Sequence, residues 1–124
     1  MKDIELTLKE MVINYALVAE DSTAKVQYLA KNRTKEQEDE YQWAMYDQDD
    51  AHYLSDMASR FYRIYMSVKG CEDPIREVYK TIGWGYEEYW EITRYLMPTL
   101  KEYYNTDNEE EVLNYIDGTR HIYH

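Results

Sequence analysis

Neither glycine nor proline occurs before Gly70, and the first proline is Pro74. A run of 69 residues without a breaker favours helices over a meander of short strands, which needs turn residues every eight to twelve positions or so. Inside that run the apolar residues recur at helical spacing. Ile4, Leu8, Met11, Val12, Tyr15, Ala16 and Ala19 follow the i, i+4, i+7, i+8 pattern. Leu6, Ile13 and Leu17 widen this apolar face and mark the first helix as central. Asp21-Ser22-Thr23 reads as a stop and restart, followed by a shorter helix through Val26, Leu29 and Ala30.

Thr34 and Gln37 have capping-box spacing and open a helix over 35–46, with an undecided break at Asp47-Gln48-Asp49-Asp50. Ala51, Leu54, Ala58, Phe61, Tyr62 and Tyr65 then form the clearest helical stripe, which Gly70 ends as a C-cap. Asp73-Pro74 is a helix start, with a capping carboxylate and proline at the first helical position. That helix stops at Gly83-Trp84-Gly85. The next carries Tyr86, Tyr89, Trp90, Thr93 and Leu96, and Pro98 kinks it or ends it near Leu96. Asp107 with Glu110 opens a last helix, stopped by Gly118. The expected fold is all-α, a single compact domain over residues 1–124 with about five to seven helices and a frayed tail at 119–124.

Composition narrows the function classes. No apolar stretch approaches the roughly 20 residues of a membrane span. The first residues lack a signal-peptide pattern, and Cys71 is the lone cysteine, so a cytoplasmic protein without disulfides is expected. Fifteen tyrosines stand against one phenylalanine. Rings with a polar tip suit half-buried positions, where the oxygen reaches water or a partner.

The net charge of −11 is concentrated. Residues 36–56 hold eight acids and no base: Glu36, Glu38, Asp39, Glu40, Asp47, Asp49, Asp50 and Asp56. Tyr41, Trp43, Tyr46 and Tyr53 are interleaved with them. A second block, 102–124, holds six acids and only Arg120. A charge run is ordinarily a solvated helix face. However, like charges at i, i+4, such as Glu36 and Glu40, oppose the helix, and a surface kept for solubility mixes both signs. Carboxylates among aromatics form the negative of a nucleic-acid site, in which cations and rings receive phosphates and bases.

In composition these two blocks, 36–56 and 102–117, resemble the small acidic phage proteins that block host defence, anti-CRISPR inhibitors and antirestriction DNA mimics. The resemblance implies a non-enzymatic, cytoplasmic inhibitor that binds a basic nucleic-acid-binding protein, not nucleic acid or membrane, with a homodimer as an option. No family motif assigns individual residues. The twelve residues quoted in 36–56 are the expected partner-binding set.

Other chemistry has thin support. The glycines at 70, 83, 85 and 118 fit no phosphate loop, and no cofactor or catalytic set is implied. Asp49, His52 and Asp56, with Asp50 nearby, share a helix face and suit a metal-dependent hydrolase, but no second helix supplies matching ligands. The acids next to Cys71 suppress its thiolate. His121 and His124 lie in the tail, and Trp84 reads as a plug at a helix junction. Arg60 pairs by default with Asp56 at i, i+4. The alternatives to inhibition are therefore a homo-oligomer joined through the Tyr/Trp face of 86–104, and the helical hydrolase. A nucleotide-sequestering role would require Arg60, Arg63, Arg76 and Arg94 to converge.

Overall fold

The computed structural model describes residues 3–32, 34–83 and 89–116. Five α-helices occur among them: α1 (Ile4–Asn32), α2 (Glu38–Val68), α3 (Pro74–Ile82), α4 (Trp90–Tyr103) and α5 (Glu109–Ile116), with a 3₁₀ turn at Lys35–Gln37 leading into α2. No strand forms among the described residues, so the chain is all-α.

The breaker-free run folds as two long antiparallel helices. At one end Lys69 Nζ lies 3.2 Å from Glu5 Oε1. Further along the pair, Thr23 Oγ1 lies 2.8 Å from His52 Nε2 and accepts from Gln48 Nε2 at 3.1 Å. These two contacts explain why α1 does not stop at Asp21-Ser22-Thr23. Thr23 turns its hydroxyl across to α2 and forms part of the helix–helix seam, and no glycine or proline is present to break the ladder. Likewise, α2 passes through Asp47–Asp50 without interruption. Leu6, Ile13 and Leu17, expected to widen the buried face, are instead about half exposed, on the side of α1 opposite Leu8 and Tyr15.

α3, α4 and α5 pack on one half of this hairpin. The core joins Leu8 and Met11 of α1 to Met57, Ala58, Phe61 and Tyr65 of α2. Ile75, Val78 and Tyr79 of α3, Tyr89 just before α4, Ile92, Leu96, Met97 and Leu100 of α4, and Val112 and Ile116 of α5 complete it. Phe61 is its centre, with its ring edge-on to Tyr79 at 5.3 Å and 6.5 Å from Tyr89. The other half of the hairpin is a two-helix arm. Its buried residues are Ala19, Leu29, Ala44 and Ala51, outside the main core cluster, and the small side chains let the two backbones approach closely.

The helix ends follow local chemistry. Asp73 caps α3, its carboxylate accepting from Arg76 N–H at 3.2 Å, with Pro74 at the first position as expected. Gly83 ends α3 with φ +94, a backbone setting that a side chain disfavours, and its N–H reaches Tyr79 O. Gly70 has no positive φ, and α2 ends one residue earlier with Lys69 as its C-cap. α4 continues through Pro98, contrary to an end near Leu96. Buried Leu96, Met97 and Leu100 hold both sides of the proline, and Arg94, whose carbonyl loses its N–H partner, is on the exposed face. α5 is capped by Asn108, which accepts from Glu111 N–H, one residue beyond the expected Asp107. The expected Asp56–Arg60 ion pair does not form. Trp84, Tyr86, Gly118, Arg120 and the 119–124 tail, with His121 and His124, lie outside the described residues.

Among the described tyrosines, Tyr65, Tyr79 and Tyr89 are buried. Tyr79 is fully buried and its hydroxyl shares a 2.6 Å hydrogen bond with Thr93. Burial pushes its pKa well up, and the Thr93 bond only partly opposes this. An unfolded phenol ionises near pH 10, so stability is intact below that pH and falls as pH rises above it. For Tyr79 the loss approaches 1.4 kcal/mol per pH unit, about one pKa unit's worth. Alkaline unfolding followed by helical circular dichroism checks this: Tyr79→Phe should flatten the decline above pH 10 by about that slope.

Candidate partner-binding face

α2 carries its first-turn acids, Glu38, Asp39 and Glu40, where the helix dipole favours them. That effect fades within a turn, so it does not account for Asp47, Asp49, Asp50 and Asp56. In the second acidic block, by contrast, Glu109, Glu110 and Glu111 are the first turn of α5, and Glu111 accepts from Thr106 Oγ1 at 2.7 Å. The acids at the start of α5 thus support their own helix, whereas those in the middle of α2 have no such local task.

Asp39, Trp43, Tyr46, Asp50 and Tyr53 fall at i, i+4, i+7, i+11 and i+14, one face of α2 over about 21 Å. Trp43, Tyr46 and Tyr53 are 69%, 62% and 55% exposed. The first two rings touch edge to face at 6.1 Å. The next positions in the same progression, Met57 and Phe61, are buried in the core. One stripe of α2 is therefore covered in its second half and bare of described neighbours in its first.

The remaining expected residues surround that stripe. Glu38, Asp49 and Asp56 lie along one flank, and Glu40 and Asp47 along the other. Asp47 lines a groove with Asp21, Ser22 and Lys25. Glu36 is exposed in the 3₁₀ turn. Tyr41 stands apart from the exposed set, half-buried on the side of buried Ala44. Glu36, Asp39, Glu40, Asp47, Asp49, Asp50 and Asp56 make no ion pair with a described residue. Eight charges over about 30 Å of helix amount to one per ~4 Å, close to the ~3.4 Å per charge of a single DNA strand.

The Asp49/His52/Asp56 set is not gathered into a site. His52 is engaged with Thr23, and among the described residues no three His, Cys, Asp or Glu side chains are grouped to hold a metal ion. Much of the 86–104 aromatic face is occupied internally. Tyr89 is buried, Tyr95 accepts from Asn14 at 2.6 Å, and Tyr103 and Tyr104 both donate to Asp73. Cys71 is exposed in the turn after α2.

No helix among the described residues is long and apolar enough to cross a membrane. No family model matches the chain, and neither a curated protein nor a solved structure matches it.

Proposed function

We propose that this chain is a protein-binding inhibitor whose arm, through the Asp39–Tyr53 face of α2, occupies a cationic nucleic-acid-binding surface on another protein. The observation that carries this reading is the bare continuation of a core stripe. Three large rings stand in solvent on one helix, on a face whose Asp39 and Asp50 make no ion pair with a described residue. Aromatic residues supply most of the energy in protein interfaces, and surrounding charge speeds encounter and selects the partner. Arginines that normally receive phosphates and bases would meet carboxylates and rings at similar spacing. Bacterial defence effectors of the restriction or CRISPR type offer such surfaces, and the acidic, tyrosine-rich composition resembles that of their small phage inhibitors.

Affinity capture from bacterial lysate at two salt concentrations, with nucleic acid as competitor, tests the reading. The expected result is a nucleic-acid-binding protein that DNA or RNA displaces, with affinity falling on the order of tenfold between about 50 and 200 mM salt. Trp43→Ala should weaken binding about 30-fold, the effect of a ~2 kcal/mol interface anchor. Recovery of no such protein, or binding indifferent to salt and to nucleic acid, would count against the proposal.

A further inference from the structure

The face that α2 displays has the charge and ring layout of one strand of nucleic acid, not of two. A duplex carries one phosphate charge per ~1.7 Å of its axis, on two edges, with its bases stacked between them. The arm has two helices, but only α2 supplies charge. Residues 19–32 of α1 hold Glu20 and Asp21 against Lys25 and Lys31 and are neutral. Residues 36–56 carry one acid per ~4 Å and no base, about half the density of a duplex. The rings differ from stacked bases in the same sense. Trp43 and Tyr46 lie 6.1 Å apart with their planes at 62°. Tyr53 follows about 10 Å further along the axis, so no two of the three lie face to face. Unpaired strands splay their bases in this way and lay them on aromatic and guanidinium planes of the protein that holds them. Over its ~21 Å the face matches ~6 nucleotides, within the ~4–16 that one single-strand-binding fold holds.

We infer that the surface this face blocks is a single-strand groove, a row of lysines and arginines set with aromatic platforms, and not the cleft of a protein that grips a duplex. The inference rests on the reading that α2 occupies a nucleic-acid-binding surface, and adds which kind. Along the helix the order is acid, ring, ring, acid, ring. In a single-strand groove Asp39 and Asp50 take phosphate positions and meet cations. Trp43, Tyr46 and Tyr53 take base positions and meet flat aromatic or guanidinium faces. A duplex-gripping protein contacts phosphates and base edges, so the three rings would find no flat partner there.

Selective release from the immobilised chain tests this. Proteins retained from a bacterial lysate are eluted with oligothymidylate or oligouridylate of about 20 nucleotides, or with a hairpin duplex at matched phosphate concentration. A single strand should release the retained nucleic-acid-binding protein at a concentration ~10-fold below the duplex, and the two oligomers tell a DNA groove from an RNA groove. The released protein should bind labelled single strand, and the free chain should compete for it. Trp43→Ala and Tyr53→Ala should each raise the competing concentration by ~10-fold or more at unchanged helical content, the size of a lost stacking contact. Ile13→Ser on α1 should leave it unaltered. Release by the duplex at the same or a lower concentration overturns the inference and leaves the broader reading standing, as does competition that neither Trp43→Ala nor Tyr53→Ala weakens. A chain that retains no protein releasable by either kind of nucleic acid overturns both.

Discussion

Replacing Phe61 by alanine is expected to destabilise the protein by about 3–5 kcal/mol, read from the urea midpoint at unchanged slope. Phe61 is fully buried, and its ring makes edge contact with Tyr79 and lies within reach of Tyr89. Truncation removes the transfer energy of the ring and leaves a cavity between two tyrosines that cannot collapse into it freely. Tyr79 is held by its bond to Thr93, which limits how far the site relaxes. A domain of this size has about 5–15 kcal/mol in total, so the variant loses a large share of its stability. A loss below about 1 kcal/mol would show that Phe61 does not hold α2 to α3.

The second large effect belongs to Asp73. One oxygen of its carboxylate accepts from Arg76 N–H at 3.2 Å, from Tyr103 O–H at 2.9 Å and from Tyr104 O–H at 3.2 Å. It thereby ties the start of α3 to the end of α4, and Tyr104 in turn stacks on Tyr115 of α5 at 4.7 Å. Burial, together with the Asp73 carboxylate, holds both phenols in their neutral, donating form by raising their pKa values. Asp73→Ala removes a helix cap and leaves two phenols without an acceptor, a combined loss of about 2–3 kcal/mol. Asp73→Asn keeps a capping oxygen and should lose less than about half of that. Thermal melts of the pair separate the cap and its acceptor from mere packing: equal losses in the two variants would assign the effect to the carboxylate's charge.

Much of this architecture was legible in the residues. The absence of breakers before Gly70 predicted helices in place of strands, and Asp73-Pro74 predicted the start of α3. Other expectations failed for definable reasons. Ser22 and Thr23 carry the chemistry of a helix stop, and only the presence of His52 and Gln48 across the hairpin turns that chemistry into a helix–helix contact. Leu6, Ile13 and Leu17 stand roughly half a turn round the helix from Leu8 and Tyr15, so they form a second, exposed stripe on α1 and do not widen the buried one. The segment 36–56 stood out by charge, but its subdivision did not. Tyr53 and Met57 are four residues apart on the same stripe, and their opposite exposure depends on how far α3–α5 reach along the hairpin. That is a property of tertiary packing, which no local pattern encodes.

α2 joins anchor and display in one uninterrupted rod, and this imposes an angular phase. Phe61 fixes the rotation of the rod in the core, and Trp43, eighteen residues earlier, inherits that rotation through five full turns. One residue inserted between Tyr53 and Met57 would swing the exposed rings by about 100° while leaving every side chain in place on its own half of the helix. The direction in which the arm points its rings is thus set from inside the core.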